Sequence, residues 1–356
     1  MKIAYILYHD IATNSGVTKK IKDQVEQWRK NGHEVQIYAI VPREGSSILE
    51  ARQYLVTSPW KDRIFKNCDI LHDLENFNPD IVYYRYDIWT RTLSKILHKY
   101  NVITEFNTLD VHEFLLLFKE RRTIRSLLIY LAYRLLRGLI LKNVKGIVAV
   151  TKEIADDFSV AKYQKKTAYI PNGINLNEYQ TIKNPEYSQS RIGLFFMGTP
   201  NQPWHGVDII EKLAMYLPQY DFHIAGMYKE RLVPNLYWHG YLQKDDYIKI
   251  LKQCHICVGT LALYRKNLTE ACPIKVREYL AYGYPTIIGY NDTSFLNSNP
   301  DFLFYLKPSL DNIDEMVNFI EKNKKRVVLH DEIKTISTEY TEKQRLLFFK
   351  AIVNNQ

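Results

Sequence analysis

Short apolar runs closed by Gly, Asn or Pro alternate along this chain with longer amphipathic stretches. That alternation predicts parallel sheets wrapped by helices. Lys2–Tyr8 reads as a first strand, and Gly16 to Asn31 as a helix closed by Gly32. Further strands are predicted at Glu34–Val41, Ile81–Tyr84, Val102–Glu105 and Gly146–Val150. Tyr169 to Tyr179 is rich in turn formers and Lys183 to Ser190 is polar and without period, which places a domain linker there. A second series follows at Ile192–Met197, Phe222–Ala225, Tyr237–His239, Ile256–Gly259 and Thr286–Gly289. Thr341 to Val353 is an amphipathic helix carrying Leu346, Leu347, Phe348 and Ile352, with no strand after it, so it is free to pack back on the first domain. The expected fold is α/β: two Rossmann-like, doubly wound parallel-sheet domains facing a central cleft, residues 1–175 with the returning helix 341–356, and residues 176–340.

Composition narrows this picture. The chain has 356 residues, 46% of them hydrophobic, enough for two α/β cores. The mean hydropathy of -0.30 argues against an integral membrane protein. The apolar run at the start is too short for a signal sequence, and Arg134 and Arg137 break the best candidate span, so a cytoplasmic chain is expected. Four cysteines, Cys68, Cys254, Cys257 and Cys272, are too few for a disulfide scaffold. Cys254 and Cys257 have the spacing of a zinc or redox pair, but no second Cys/His pair completes a site, and Ile256–Val258 reads as a core strand. The formal charge of +9 points to an anionic partner without saying which.

In open parallel sheets ligands bind beyond the carboxyl ends of the strands. Three loops there stand out. Thr13-Asn-Ser-Gly-Val17 leads into a helix, where Gly16 permits close backbone approach and the helix N-terminus favours phosphate; a plain turn fits as well. Met197-Gly-Thr-Pro-Asn-Gln-Pro-Trp-His-Gly-Val207 lacks the spacing of a dinucleotide or P-loop fingerprint, which argues against an oxidoreductase or a kinase. Glu270-Ala-Cys-Pro-Ile-Lys-Val-Arg-Glu278 carries two carboxylates suited to accepting hydrogen bonds from sugar hydroxyls, with Lys275 and the dipole of the helix Val276–Ala281 left for phosphates.

The Glu-x7-Glu spacing followed by Tyr279-Leu-Ala-Tyr-Gly-Tyr-Pro285 resembles the signature of the retaining glycosyltransferases of family 4, which have the GT-B fold. Four further features agree in order: Gly16 with Gly32-His-Glu-Val35, Glu105-Phe-Asn107 with His112, Pro171-Asn-Gly-Ile174, and Trp204-His-Gly-Val-Asp208. The resemblance covers nearly the whole chain. It implies an acceptor-side first domain and a nucleotide-sugar-binding second domain. Glu270 would then lie by the donor sugar, Glu278 would hold the ribose, Gly16 would lie against the diphosphate, and His112 would sit near the sugar. The phosphate-binding Arg and Lys of the family follow the strand ending here at Gly198, where Thr199 and His205 stand instead. Pro273 replaces a common Gly and removes an amide donor. Lys275, Arg265 or Lys266 would have to restore the charge, and Lys275 is the expected choice.

The implied chemistry is sugar transfer from a nucleotide diphosphate, such as a UDP-sugar, with retention, to a glycan or lipid-linked acceptor in bacterial surface polysaccharide synthesis. The departing diphosphate helps to deprotonate the acceptor, so stabilising its charge is the main task. No Asp-x-Asp occurs, so no metal cofactor is expected. Tyr83-Tyr-Arg-Tyr-Asp-Ile-Trp89 offers Tyr86 and Trp89 as sugar-stacking faces, although tyrosines at strand ends are common. The stretch 119–142 is both basic and apolar, as helices lying on anionic lipid are, and also as core helices with solvated arginines are. No nucleic-acid motif accompanies the positive charge. The rival readings are a catalytically silent subunit of the same fold, which predicts no nucleotide binding, and an epimerase, which predicts product without acceptor.

Overall fold

The computed structural model describes residues 1–12, 15–56, 69–184, 186, 191–230 and 232–354. Thr13, Asn14, Cys68 and Tyr187 to Ser190 fall outside the described residues. The chain divides into two compact units, Met1–Gly173 with Thr338–Gln356, and Ile174–Ser337.

In the first unit the strands are β1 (Lys2–Tyr8), β2 (Glu34–Val41), β3 (Ala51–Leu55), β4 (Ile81–Arg85), β5 (Val102–Phe106), β6 (Gly146–Ala149) and β7 (Lys166–Tyr169). They form one parallel sheet in the order β3-β2-β1-β4-β5-β6-β7. The order reverses beside β1, which makes the carboxyl end of β1 and β4 the switch point where ligands collect. The helices are α1 (Gly16–Lys30), α2 (Ile70–Phe77), α3 (Arg91–Lys99), α4 (Asp110–Arg121), α5 (Ile124–Leu141), α6 (Lys152–Asp156) and α7 (Phe158–Ala161). Ser15 caps α1 in a capping box with Thr18, and Gly32 at φ +78 turns the chain out of it. β3 and β7 were not predicted: both are edge strands with part-exposed, polar-rich sequences, so they lack the apolar run that marks a central strand.

The C-terminal helix Thr338–Val353 belongs to this unit. It starts three residues earlier than predicted and packs on α1, closing an aromatic cluster of Tyr5, Trp28, Tyr83 and Phe349. Glu342 accepts from Trp28 Nε1 and Arg345 Nε, both at 2.8 Å, and Arg345 donates to Tyr83 Oη at 3.0 Å. The buried Glu342 and Arg345 of this helix are thus matched by partners on α1 and β4, as burial demands.

The second unit contains β8 (Ile192–Met197), β9 (Tyr220–Ala225), β10 (Leu236–Trp238), β11 (Ile256–Val258), β12 (Glu270–Ala271), β13 (Thr286–Ile288), β14 (Asn291–Asp292) and β15 (Leu303–Tyr305). Six of them form a parallel sheet, β10-β9-β8-β11-β13-β15, while β12 and β14 pair separately. Its helices are α8 (Val207–Tyr216), α9 (Lys244–Leu251), α10 (Ile274–Ala281) and α11 (Ile313–Asn323). Cys254 and Cys257 are buried free thiols, and Cys257 lies in β11.

In the polar stretch at the linker Asn184 and Glu186 are exposed, but Lys183 itself is buried, and its ammonium donates to the carbonyls of His255 and Asn323. An ammonium on a long apolar stem satisfied by main-chain oxygens leaves no trace in local periodicity. Among the described residues no helix is long and apolar enough to cross a membrane.

Candidate active site

In the second unit the loop after β8 and the start of α10 converge on Phe196. A Cβ on Gly198 would lie 2.7 Å from Phe196 Cζ and 2.8 Å from His205 Nδ1, so glycine is required here by packing among the protein's own side chains. Gly226, at φ +92, meets the same turn: a Cβ there would lie 2.1 Å from Gly198 O. His205 ends a short 3-10 turn, Pro203–His205, and Gly206 at φ +71 then starts α8.

His205 is buried. Burial first, and the neighbouring Lys275 second, lower its pKa to about 3. It is therefore a neutral imidazole at physiological pH and adds no charge where the family carries a cation. Arg265 is committed elsewhere, donating to both carboxylate oxygens of Asp208 at 2.9 and 2.7 Å and to Pro203 O at 2.8 Å. Lys266 lies 4.4 Å over the Trp204 ring. Both brace the segment 203–208.

Lys275 differs. Part of the residue reaches the surface, but its ammonium is buried and has no hydrogen-bond partner among the described residues. It lies 4.3 Å over the Phe196 ring, and burial lowers its pKa to about 7. It is the second residue of α10, a helix whose first amides lack intrahelical acceptors.

The two glutamates flank this lysine in the sequence. Glu270 is in β12, half-buried, paired through the strand with Asn291. Arg277 locks that arrangement: fully buried, it donates to both oxygens of Asp292 at 2.6 and 2.8 Å and to Ser294 Oγ at 2.9 Å. Glu278 lies in mid-helix, because α10 begins at Ile274 rather than Val276. Its Oε1 accepts from Tyr247 Oη at 2.7 Å and Tyr179 Oη at 3.5 Å, and Tyr282 stacks edge-on against Tyr179. These phenols, Arg277 and Phe196 were not singled out from the sequence. Tyr247 comes from α9, thirty-one residues away, and no local pattern announces such a contact.

The first unit gathers a second set at the carboxyl ends of β1, β4 and β5. Gly16 opens α1 and is exposed, with His9 Nε2 3.3 Å from the Ser15 Oγ that caps the helix. Burial first, then Arg85, lowers the His9 pKa. His112 is on the first turn of α4, half-buried, with Nδ1 lacking a hydrogen-bond partner among the described residues. Beneath it Asp110 faces Arg137 at 2.9 Å, and burial raises the Asp110 pKa to about 6. Tyr86 stacks on Phe106 with ring centroids 4.0 Å apart, and Arg137 lies 5.0 Å over the Phe106 ring. One face of Tyr86 is thus already taken by protein, and Trp89 remains half-buried beside it.

Two family models match this chain: Glycosyltransferase Family 4 over residues 14–178 and Glycosyl transferase-like over residues 206–351. Among curated proteins, none matches. Solved structures resemble it over nearly their whole length. An alpha-glucosyltransferase in complex with UDP and DNA has 12% identity and a TM-score of 0.68, covering 98% of this chain and 100% of that one. A lipopolysaccharide outer core galactosyltransferase, WaaB, has 14% identity and a TM-score of 0.64, over 98% and 100%. Sucrose-phosphate synthase from Thermosynechococcus elongatus has 13% identity and a TM-score of 0.62, over 99% and 96%.

Proposed function

This chain is a glycosyltransferase of the GT-B, family 4 type, and on that premise we propose that it moves a hexose from a nucleoside-diphosphate donor to a glycan or lipid-linked acceptor, with retention and without a divalent metal. The observation that carries the donor assignment is the buried Lys275 ammonium, which has no hydrogen-bond partner among the described residues and lies in the sequence between Glu270 and Glu278. A diphosphate supplies the missing charge, and the first amides of α10 supply hydrogen bonds to it. Glu278, oriented by Tyr247, accepts from the ribose hydroxyls, and Glu270 accepts from the donor sugar. As the bond to the leaving phosphate breaks, negative charge grows on its oxygen, where Lys275 and the helix N-terminus stabilise it most. That oxygen takes the acceptor proton on the same face of the sugar, which accounts for retention. Within the first unit Gly16 opens a helix N-terminus suited to phosphate, and His112, Tyr86 and Trp89 serve sugars at the carboxyl edge of its sheet.

The similar structures act in settings as different as DNA, lipopolysaccharide and sucrose phosphate, so the acceptor is argued from this chain alone. A surface polysaccharide built at the inner face of the cell membrane, with the enzyme cytoplasmic and peripheral, fits the basic, apolar stretch 119–142.

The test is thermal melting with UDP and GDP in the presence of a chelator, followed by transfer assays on wild type and Glu270→Gln. One nucleotide is expected to raise the melting temperature, since a ligand of the folded state stabilises it. Glu270→Gln is expected to lose about 100-fold or more in transfer, as for loss of an interaction made in the transition state. No shift with any nucleoside diphosphate would point instead to a silent subunit, and a shift that disappears with the chelator would overturn metal independence.

A further inference from the structure

Helix α5 has one face with no protein on it among the described residues. Ile124, Leu128, Leu135 and Leu139 are 79%, 59%, 72% and 46% exposed. Their steps of four, seven and four residues keep them within about 60° on a helix of 3.6 residues per turn, a stripe roughly 22 Å long. The opposite face is the buried one, through Ser126, Tyr130, Arg137, Ile140 and Leu141. The stripe cannot roll inward. Thr123 and Ser126 close a capping box at the N-terminus, and Arg137 is held by Asp110 at 2.9 Å and by Ser159 Oγ at 2.6 Å.

The surroundings of the stripe are positive. Lys119, Arg121, Arg122, Arg125, Arg134 and Lys142 are all exposed, and Glu120 is the only acidic residue between 119 and 142. Protein-facing apolar patches are rimmed by mixed polar groups, whereas a rim of cations beside exposed leucines matches anionic headgroups over acyl chains. Position along the fold adds to this. Tyr133 bonds Asp87 and Arg137 lies over Phe106, which puts mid-helix level with the carboxyl ends of β4 and β5. Lys145 then reaches the amino end of β5 at Val102. Ile124 to Ala132 therefore runs about 13 Å past the carboxyl edge, at 1.5 Å per residue. That is the edge that carries Tyr86, Trp89 and His112.

We propose that the exposed face of α5, with the basic corner Lys119–Arg125, seats this protein on an anionic lipid surface and brings the carboxyl edge of its first sheet to the headgroups. The surface recognises acyl chains through Leu128 and Leu135 and headgroup phosphates through Arg121 and Arg122. Lipid binding does not depend on the transfer reaction. The proposal only deepens the reading of a lipid-linked acceptor, and nucleotide-induced melting shifts report separately on that reading.

The experiment is co-sedimentation of the full chain with vesicles of phosphatidylglycerol and phosphatidylcholine, and with phosphatidylcholine alone. Wild type is expected to bind the first and not the second. Leu128→Gln with Leu135→Gln keeps charge and helix propensity while removing the stripe, and Arg121→Gln with Arg122→Gln removes two cations. Each pair is expected to weaken binding by about tenfold or more, with the melting temperature and the nucleotide-induced shift unchanged. Tyr241→Gln, at an exposed aromatic of the second unit, is the control and is expected to bind like wild type. Wild type failing to bind phosphatidylglycerol vesicles, or the leucine pair binding them like wild type, overturns the proposal. So does a wild-type dimer in solution that the leucine pair dissociates, which gives the face to a second copy of the chain.

Discussion

Lys20 in the first unit and Lys275 in the second both bury an ammonium at the carboxyl edge of a parallel sheet, and they are treated oppositely. Lys20 meets Glu105 at 3.0 Å and Asn107 at 2.7 Å, while Glu105 also faces Arg345 at 3.5 Å and Arg85 at 3.6 Å. Burial alone would raise the Glu105 carboxyl, yet the surrounding cations hold it well below the usual carboxylate range. Lys20 itself falls to about 8, the effect of burial only partly offset by Glu105. Lys275 has an aromatic ring and, among the described residues, no hydrogen-bonding acid, and falls to about 7. A matched buried charge ties α1, β5 and the C-terminal helix into one body. An unmatched one is a cost that the fold carries until an anion arrives. The same residue type in the same kind of place is architecture in one unit and a binding site in the other.

Breaking the matched side has the largest expected effect. Glu105→Gln leaves Lys20 and Arg345 buried against a neutral amide, and removal of one partner from a buried ion pair costs about 3–5 kcal/mol. The loss is read from chemical denaturation of wild type and variant at neutral pH. Because the Glu105 pKa is depressed in the folded chain, its contribution is present above the ordinary carboxylate range and lost as the pH falls through its folded value. The gap between the two proteins therefore narrows in acid. A loss below about 1 kcal/mol at neutral pH would mean that Glu105 does not organise this unit.

On the unmatched side the signs reverse. Lys275→Met fills the space over Phe196 with an apolar stem and is expected to leave the ligand-free protein as stable as wild type or more so. Nucleotide affinity is expected to fall about 10- to 100-fold, the scale of a hydrogen bond to a charged group. Acidity sharpens the distinction. The folded pKa of about 7 lies below the ordinary 10.5, so between those values the unfolded chain binds more protons and stability rises with pH; below about 7 the penalty is complete. Nucleotide binding needs the protonated amine and should weaken as the pH rises above about 7. Melting curves with and without nucleotide across that range, on both proteins, check each slope. A variant that keeps wild-type affinity would place the diphosphate elsewhere.

How much of this contrast the sequence reveals follows from the range of each interaction. The central strands and the alternation that makes two doubly wound sheets are local, and β1, β2 and β8 lie where the apolar runs put them. Glu270, Lys275 and Glu278 share one segment, so they are read together from the sequence. What the segment cannot show is which of three nearby cations is free, because Arg265 is taken by Asp208, fifty-seven residues away in the chain. The neutrality of His205 is likewise a consequence of burial beside Lys275 rather than of residue type. The glycine at Gly198 is likewise demanded by Phe196 and His205, which no local pattern shows.

The smallest effect tests whether Glu278 works as an oriented acceptor. Its short bond from Tyr247 fixes one carboxylate oxygen and leaves the other for a ligand, while Tyr179 stands farther off. Tyr247→Phe removes that bond and keeps the ring that stacks near Phe195. The loss is about 1 kcal/mol, or roughly fivefold, and it should appear as a higher donor KM with kcat nearly unchanged, because the ribose is bound alike in ground and transition states. Unchanged KM would show that Glu278 needs no orienting partner. A loss as large as that in Lys275→Met would move the anion site toward α9 and erase the distinction between the lysine that waits for a charge and the carboxylate that waits for hydroxyls.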